Sequence, residues 1–145
     1  MEEVVVQNNL RNKEFRTVEI PKWGNYLRCQ WRDCFASHLS SEEQKMIGMD
    51  DFLWHLCSWE KVKCFEKEEA IIAFNKQSKY KCTIFYQFID EAYLIYKANT
   101  LKVTDLPYEQ CHLYYSDIYI MDWNSKWTFI MTHESKCGPY FIQIT

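Results

Sequence analysis

The residues with the chemistry to form a site gather near the C-terminus. His133-Glu134-x-x-Cys137 has the spacing of a zinc peptidase H-E-x-x-H with cysteine at the second ligand position. That motif works on a helix, where ligands four apart share a face. Here the segment closes an apolar run of strand type and leads into Gly138-Pro139, so peptidase chemistry is not expected. Asp117, Asp122, His133 and Glu134 form a candidate acid–base set, with His55 as a second imidazole. A small hydrolase or metal-dependent enzyme would use His133 with Glu134, Asp122, Asp117 or His55, because a positioned carboxylate orients a histidine and holds its proton. A cross-strand ion pair at a sheet end accounts for the same residues without catalysis, and it is the preferred reading. A looser metal set would draw on His112, His133 and Cys137, with Cys111 or Cys57 as the fourth ligand zinc takes. These positions lack tight, repeated ligand spacing. Scattered buried thiols are expected instead, with no metal and no cofactor.

The element that must position these groups is the stretch from Asp117 to Ile144. Two apolar runs flank Asn124-Ser125-Lys126, and a third follows Gly138-Pro139. A three-residue hairpin loop pairs Trp123 with Trp127, Met121 with Phe129, Tyr119 with Met131 and Asp117 with His133. Both faces of that ribbon are apolar, one aromatic and one aliphatic. A hairpin of this kind belongs in the middle of a sheet with cover on each side.

The remaining chain supplies that cover. Residues 1–14 read as a polar arm, with Val4–Val6 as an edge strand, and residues 15–145 as one domain. FRTVEI at 15–20 alternates as a strand. After Pro21, the spacing of Trp23, Leu27, Trp31, Cys34, Phe35 and Leu39 predicts an amphipathic helix. Ser40 and Glu43 form a capping-box pattern for a helix over 41–47, and Gly48 ends it. FLWHLCS at 52–58 reads as a buried strand, with His55 hydrogen-bonded inside it and Glu60 as its partner. A helix is expected from Glu66 to Gln77, strands at 81–89 and 92–96, and a short helix from Thr104 to His112. The fold class is α+β: a single domain with a mostly antiparallel sheet of about five strands and three to four helices.

Composition narrows the function. Apolar residues make up 48% of the 145 and aromatic residues 17%, enough for a full core and too many for disorder. Three glycines leave no Gly-rich phosphate loop. A net charge of −3 without a basic cluster argues against nucleic acid. Seven cysteines, an odd number without C-x-x-C, together with an acidic start, point to free thiols in a reducing cytoplasm. No apolar run reaches membrane-spanning length.

Four segments carry a family resemblance: IPKWGNYLRCQW at 20–31, FLWHLCSWEK at 52–61, FNKQSKYKCTIFYQF at 74–88 and MDWNSKWTFIMTHESKCGPYF at 121–141. Together they resemble a small bacterial family of domains of unknown function, found mainly in spore-forming Gram-positive bacteria. Its most specific piece is W-T-F-x-x-T-H-E-x-x-x-G-P-Y-F at Trp127 to Phe141. The family has no assigned activity, so the resemblance transfers no catalytic residue. It implies a bacterial cytosolic protein, similar in size and composition to immunity-type proteins of toxin systems. The expected function is a non-enzymatic protein-interaction module of immunity or regulatory type. Its docking face is sought at the acidic pairs Asp50-Asp51, Glu68-Glu69 and Asp90-Glu91, facing a basic protein partner; oligomeric state is left open.

Overall fold

One antiparallel sheet runs through the whole domain. The computed structural model describes residue 10 and residues 14–144; the edge strand expected at Val4–Val6 lies outside them. Seven strands are formed: β1 (Arg16–Glu19), β2 (Phe65–Glu66), β3 (Lys81–Tyr86), β4 (Ala92–Tyr96), β5 (Ile118–Asp122), β6 (Trp127–Met131) and β7 (Tyr140–Gln143). Their order is β1-β4-β3-β5-β6-β7-β2, and every neighbouring pair is antiparallel. The helices are α1 (Gly24–Phe35), α2 (Ser41–Met46), α3 (His55–Ser58) and α4 (Glu68–Lys76). The fold is therefore α+β as expected, with seven strands in place of about five. Strand β1 falls within the FRTVEI run expected as a strand, whereas β2, at two residues, carries too little pattern for a period to show.

The central strands alternate between two cores because successive side chains point to opposite faces. Ile84, Tyr86, Ile118, Ile120, Phe129 and Phe141 pack with Ala70 and Phe74 of α4, and Leu10 joins this core. Phe85, Tyr119, Met121, Ile130 and Ile142 pack with Leu27, Trp31 and Phe35 of α1 and with Leu53, Trp54 and Leu56. A sheet covered on both faces needs strands that are apolar at every position, and β5–β6 supplies the middle of one. Burying each such large side chain is worth about 1.5–3 kcal/mol.

The hairpin register differs from the expected one by a residue. Ile118 lies opposite Met131, Ile120 opposite Phe129 and Met121 opposite Thr128. The turn has four residues, 123–126. The Asp122 carboxylate accepts the Lys126 N–H at 3.0 Å, and Ser125 takes the left-handed conformation at φ 58°. A shift of one residue moves the side chains of β6 to the other face relative to β5. Trp127 thus packs on Phe74 and Phe141 instead of pairing with Trp123.

Two other expectations fail locally. FLWHLCS is a chain of turns ending in α3: the Phe52 N–H reaches Gly48 O at 3.1 Å and the His55 N–H reaches Phe52 O at 3.1 Å. Leu53, Trp54, Leu56 and Cys57 are buried while Phe52, His55 and Ser58 are half-buried, a three-residue spacing that an apolar run this short does not reveal in advance. The helix expected over 104–112 is only a 3-10 turn at Val103–Asp105. Pro107 excludes helical backbone at Leu106, which is extended at φ −71°, ψ 139°. The Ser40–Glu43 capping box of α2 is present in both its hydrogen bonds. Helix α1 starts at Gly24, later than Pro21, and Gly24 packs on the 89–90 turn so closely that a Cβ there would lie 2.5 Å from Asp90 Cα.

Candidate functional site

Asp117 and His133 stand at the open end of the β5–β6 ribbon. Because Ile118 faces Met131, the residue before β5 meets the residues just past β6. Asp117 is 2% exposed, and a buried carboxylate must be fully hydrogen-bonded. Its Oδ1 accepts the Trp54 indole N–H at 2.9 Å, the His133 backbone N–H at 3.1 Å and His133 Nδ1 at 3.1 Å; the ring nitrogen is also 3.1 Å from Oδ2. The other ring nitrogen, Nε2, lies 3.3 Å from the carboxylate of the exposed Glu134. Both nitrogens thus face carboxylates, which only accept.

Aromatic rings close this corner. Phe52 lies 5.0 Å and Trp54 5.9 Å from the His133 ring, and both also touch His55, at 5.5 and 4.7 Å. His55 shares these neighbours, but its Nδ1 is held 2.8 Å from Gly48 O, so its partner is that carbonyl and not Glu60. Beneath, the Tyr119 hydroxyl donates to Gln87 Oε1 and accepts the Trp54 N–H at 3.3 Å; burial pushes this phenol well above its ordinary pKa.

The other predicted residues fall elsewhere. Asp122 caps the turn at the far end of β5, which a five-residue strand puts roughly 17 Å away. The His112 ring lies tilted against Tyr115 at 4.9 Å and accepts the Tyr114 N–H at 3.2 Å. Cys137 is half-buried and Cys111 is exposed. Among the described residues, no three or more His, Cys, Asp or Glu side chains are placed to hold a metal ion, so His112, His133 and Cys137 do not form the set weighed above. A buried aspartate behind a half-exposed histidine is an arrangement used for general-base chemistry. As a staple, the Asp117 cluster ties the Trp54 segment to the ends of both central strands.

A second feature lies between the first helix and the central hairpin. Trp23, Tyr26 and Trp123 are 45%, 58% and 45% exposed. With Leu27, Gln30, Thr83, Met121 and Asp122 they line a concavity of about 150 Å³. Trp23 and Tyr26 meet edge to face at 5.4 Å. Trp123 sits in the hairpin turn, its N–H on Lys81 O at 3.0 Å and the Lys81 ammonium 3.5 Å from its ring centre. The Lys81 ammonium also lies 5.1 Å from the Tyr96 ring, and Arg16 lies 5.7 Å from the same ring. Arg16 and Lys81 are both register partners of Tyr96, so cation, ring, cation and ring follow one another along one end of the sheet. Each such contact is worth about 0.5–1 kcal/mol at an exposed position. The usable signal was that Trp23 heads its helical stripe, where a side chain can project past the core.

Fold and surface together define an antiparallel α+β domain with helices on both faces and an open aromatic edge. The chain belongs to the family described as Domain of unknown function (DUF4275), whose family model spans residues 4–141. No curated protein and no solved structure matches the chain. No helix among the described residues is long and apolar enough to cross a membrane.

Proposed function

We propose that this domain is a protein-interaction module that seats an apolar side chain of a partner protein between Trp23, Tyr26 and Trp123. The observation that carries the reading is the exposure of these three large aromatics around one concavity. Tryptophan and tyrosine dominate the binding energy of protein interfaces. Arg16 and Lys81 on the same edge favour acidic groups beside the seated side chain. The acidic pairs first considered as a docking face support this less well. Asp50 lies 3.2 Å from Arg32 and Asp90 lies 2.8 Å from Arg28, both on α1, so each carboxylate already has a cation. The setting that goes with this reading is the bacterial cytoplasm, and the role is of immunity or regulatory type, in keeping with the family resemblance.

Site-directed photo-cross-linking tests it. A benzophenone amino acid replaces Tyr26, or Tyr114 as a control that is 46% exposed in the loop before β5. The reading expects one protein joined to position 26 and absent from position 114. Equal labelling at both positions, or none at 26, would count against it.

A further inference from the structure

Between α1 and the turns that join α2 to α3 lies a concavity of about 380 Å³, whose lining includes Arg28, Arg32, Asp33, Asp50 and Gln87. Gln87, the residue after β3, is 9% exposed. Its amide is oriented by what it must accept. The Leu53 backbone N–H, which only donates, reaches Oε1 at 3.0 Å, and the Tyr119 hydroxyl donates to the same oxygen. Nε2 is therefore the other branch of the amide. It has no hydrogen-bond partner among the described residues and is not sealed from solvent, whereas polar groups this deep normally have one. Its N–H groups open into the concavity that Gln87 lines. The walls are charged and fixed. Arg28 and Arg32 are four apart on α1 and share a face. Arg28 donates to Tyr86 O at 3.0 Å, Ile89 O at 2.7 Å and Asp90 at 2.8 Å; Arg32 donates to Met49 O at 3.0 Å and Asp50 at 3.2 Å. A guanidinium has more N–H groups than these bonds use.

We propose that this concavity binds a small zwitterion of the free amino-acid class, its carboxylate on Gln87 Nε2 and the two arginines and its ammonium toward Asp33. A carboxylate only accepts, and the floor and one wall offer only donors to it. Because the arginines are already held by carbonyls and carboxylates, little side-chain freedom is lost when a ligand arrives. Asp33 and Asp50 bring two negative charges to the same lining as the two positive ones. They repel a multiply charged anion such as phosphate and leave a ligand of balanced charge favoured. The size falls within the range of about 300–1,000 Å³ usual for small-molecule sites. This concavity and the one at the aromatic edge share no lining residue, so each can fail without the other.

The test melts the full chain in the presence of each standard amino acid, of acetate and of inorganic phosphate, all at millimolar concentration. At least one amino acid should raise the midpoint in a saturable way, while acetate, which lacks the ammonium, and phosphate should not. Titration calorimetry with the amino acid that raises it most then gives Kd. Gln87→Glu keeps an acceptor for Leu53 and replaces the donor with a second carboxylate oxygen; it should weaken Kd about tenfold or more. Asp33→Asn, at an exposed position, should weaken it by about two- to fivefold. Circular dichroism verifies that both variants fold. No rise with any amino acid, or an equal rise with acetate or phosphate, would overturn the proposal. So would a Kd unchanged by Gln87→Glu or, should that variant not fold, by Asp33→Asn.

Discussion

Asp117 and His133 meet without being register partners. The ladder that sets Ile118 against Met131 makes Thr132 the residue facing Asp117, yet His133 delivers both its backbone N–H and its ring Nδ1 to that carboxylate at 3.1 Å. The pair forms because the chain leaves β6 at Met131 and turns inward over Asp117, where the Trp54 indole also donates at 2.9 Å.

Removing this carboxylate should damage folding. Asp117→Ala strands the Trp54 indole N–H and the His133 backbone N–H in a buried place, a loss of about 3 kcal/mol. His133→Ala, at a half-exposed ring that leaves Asp117 two donors, should cost about 1 kcal/mol. Urea unfolding followed by circular dichroism measures both. Equal, small losses would mean that Asp117 is not the staple.

A second buried link is the Trp31 indole, which donates to Thr128 Oγ1 at 2.9 Å while that hydroxyl donates to Ile120 O at 2.8 Å. Thr128→Val keeps the shape and removes both bonds, and should cost roughly 1–3 kcal/mol. Thr128→Ser keeps the hydroxyl and should lose clearly less. Chemical denaturation of the two variants side by side separates the hydroxyl from the methyl.

The glycines make separable demands. Gly24→Ala places a methyl 2.5 Å from backbone at Asp90 and should lose about 1–3 kcal/mol by overpacking. Gly48, at φ +80°, ends α2; Gly48→Ala should lose roughly 1 kcal/mol from the left-handed backbone and more from the His55 ring 2.8 Å away. Thermal melts of the two variants provide the comparison.

Lys79 predicts a pH effect. It is 4% exposed, and its ammonium donates to Gln77 O at 3.1 Å and lies 4.5 Å from the Phe74 ring. Burial first, and the nearby Lys102 charge second, bring its pKa down from 10.5 to about 8. Between those values the unfolded chain binds more protons than the folded one, so Lys79 makes stability rise as pH climbs through that window. Below it the penalty is constant. Lys79→Met removes the contribution, so its advantage over the unaltered chain should shrink from pH 7 to pH 10. Unfolding midpoints of both proteins at the two pH values test this, and a constant difference would contradict it.

Much of the fold was legible because its signals are local. The capping box at Ser40 and Glu43, the stripe of Leu27, Trp31 and Phe35, and the alternation of Cys82, Ile84 and Tyr86 each need only a few neighbouring residues. The hairpin register was not legible, since it turns on Ser125 adopting a left-handed backbone and Asp122 capping a four-residue turn. With both faces apolar, the pattern could not choose between the two registers. That slip also hid the exposure of Trp123: paired with Trp127 it would lie in the sheet, whereas in the observed turn it lines one concavity with Trp23, one hundred positions away in the chain. Asp117 and His133 were legible as neighbours, while their joint partner Trp54 was not, because its segment reads as a strand and folds as turns.

The affinity of the cross-linked partner for variants of the aromatic edge tests the central reading most directly. Trp23→Ala and Trp123→Ala, whose side chains are 45% exposed, should stay folded, with Trp123→Ala losing about 0.5–1 kcal/mol with the Lys81 contact. Each should weaken partner binding by about 2 kcal/mol, roughly thirtyfold in Kd by titration calorimetry. Unchanged affinity in both variants, with folding intact, would contradict the account.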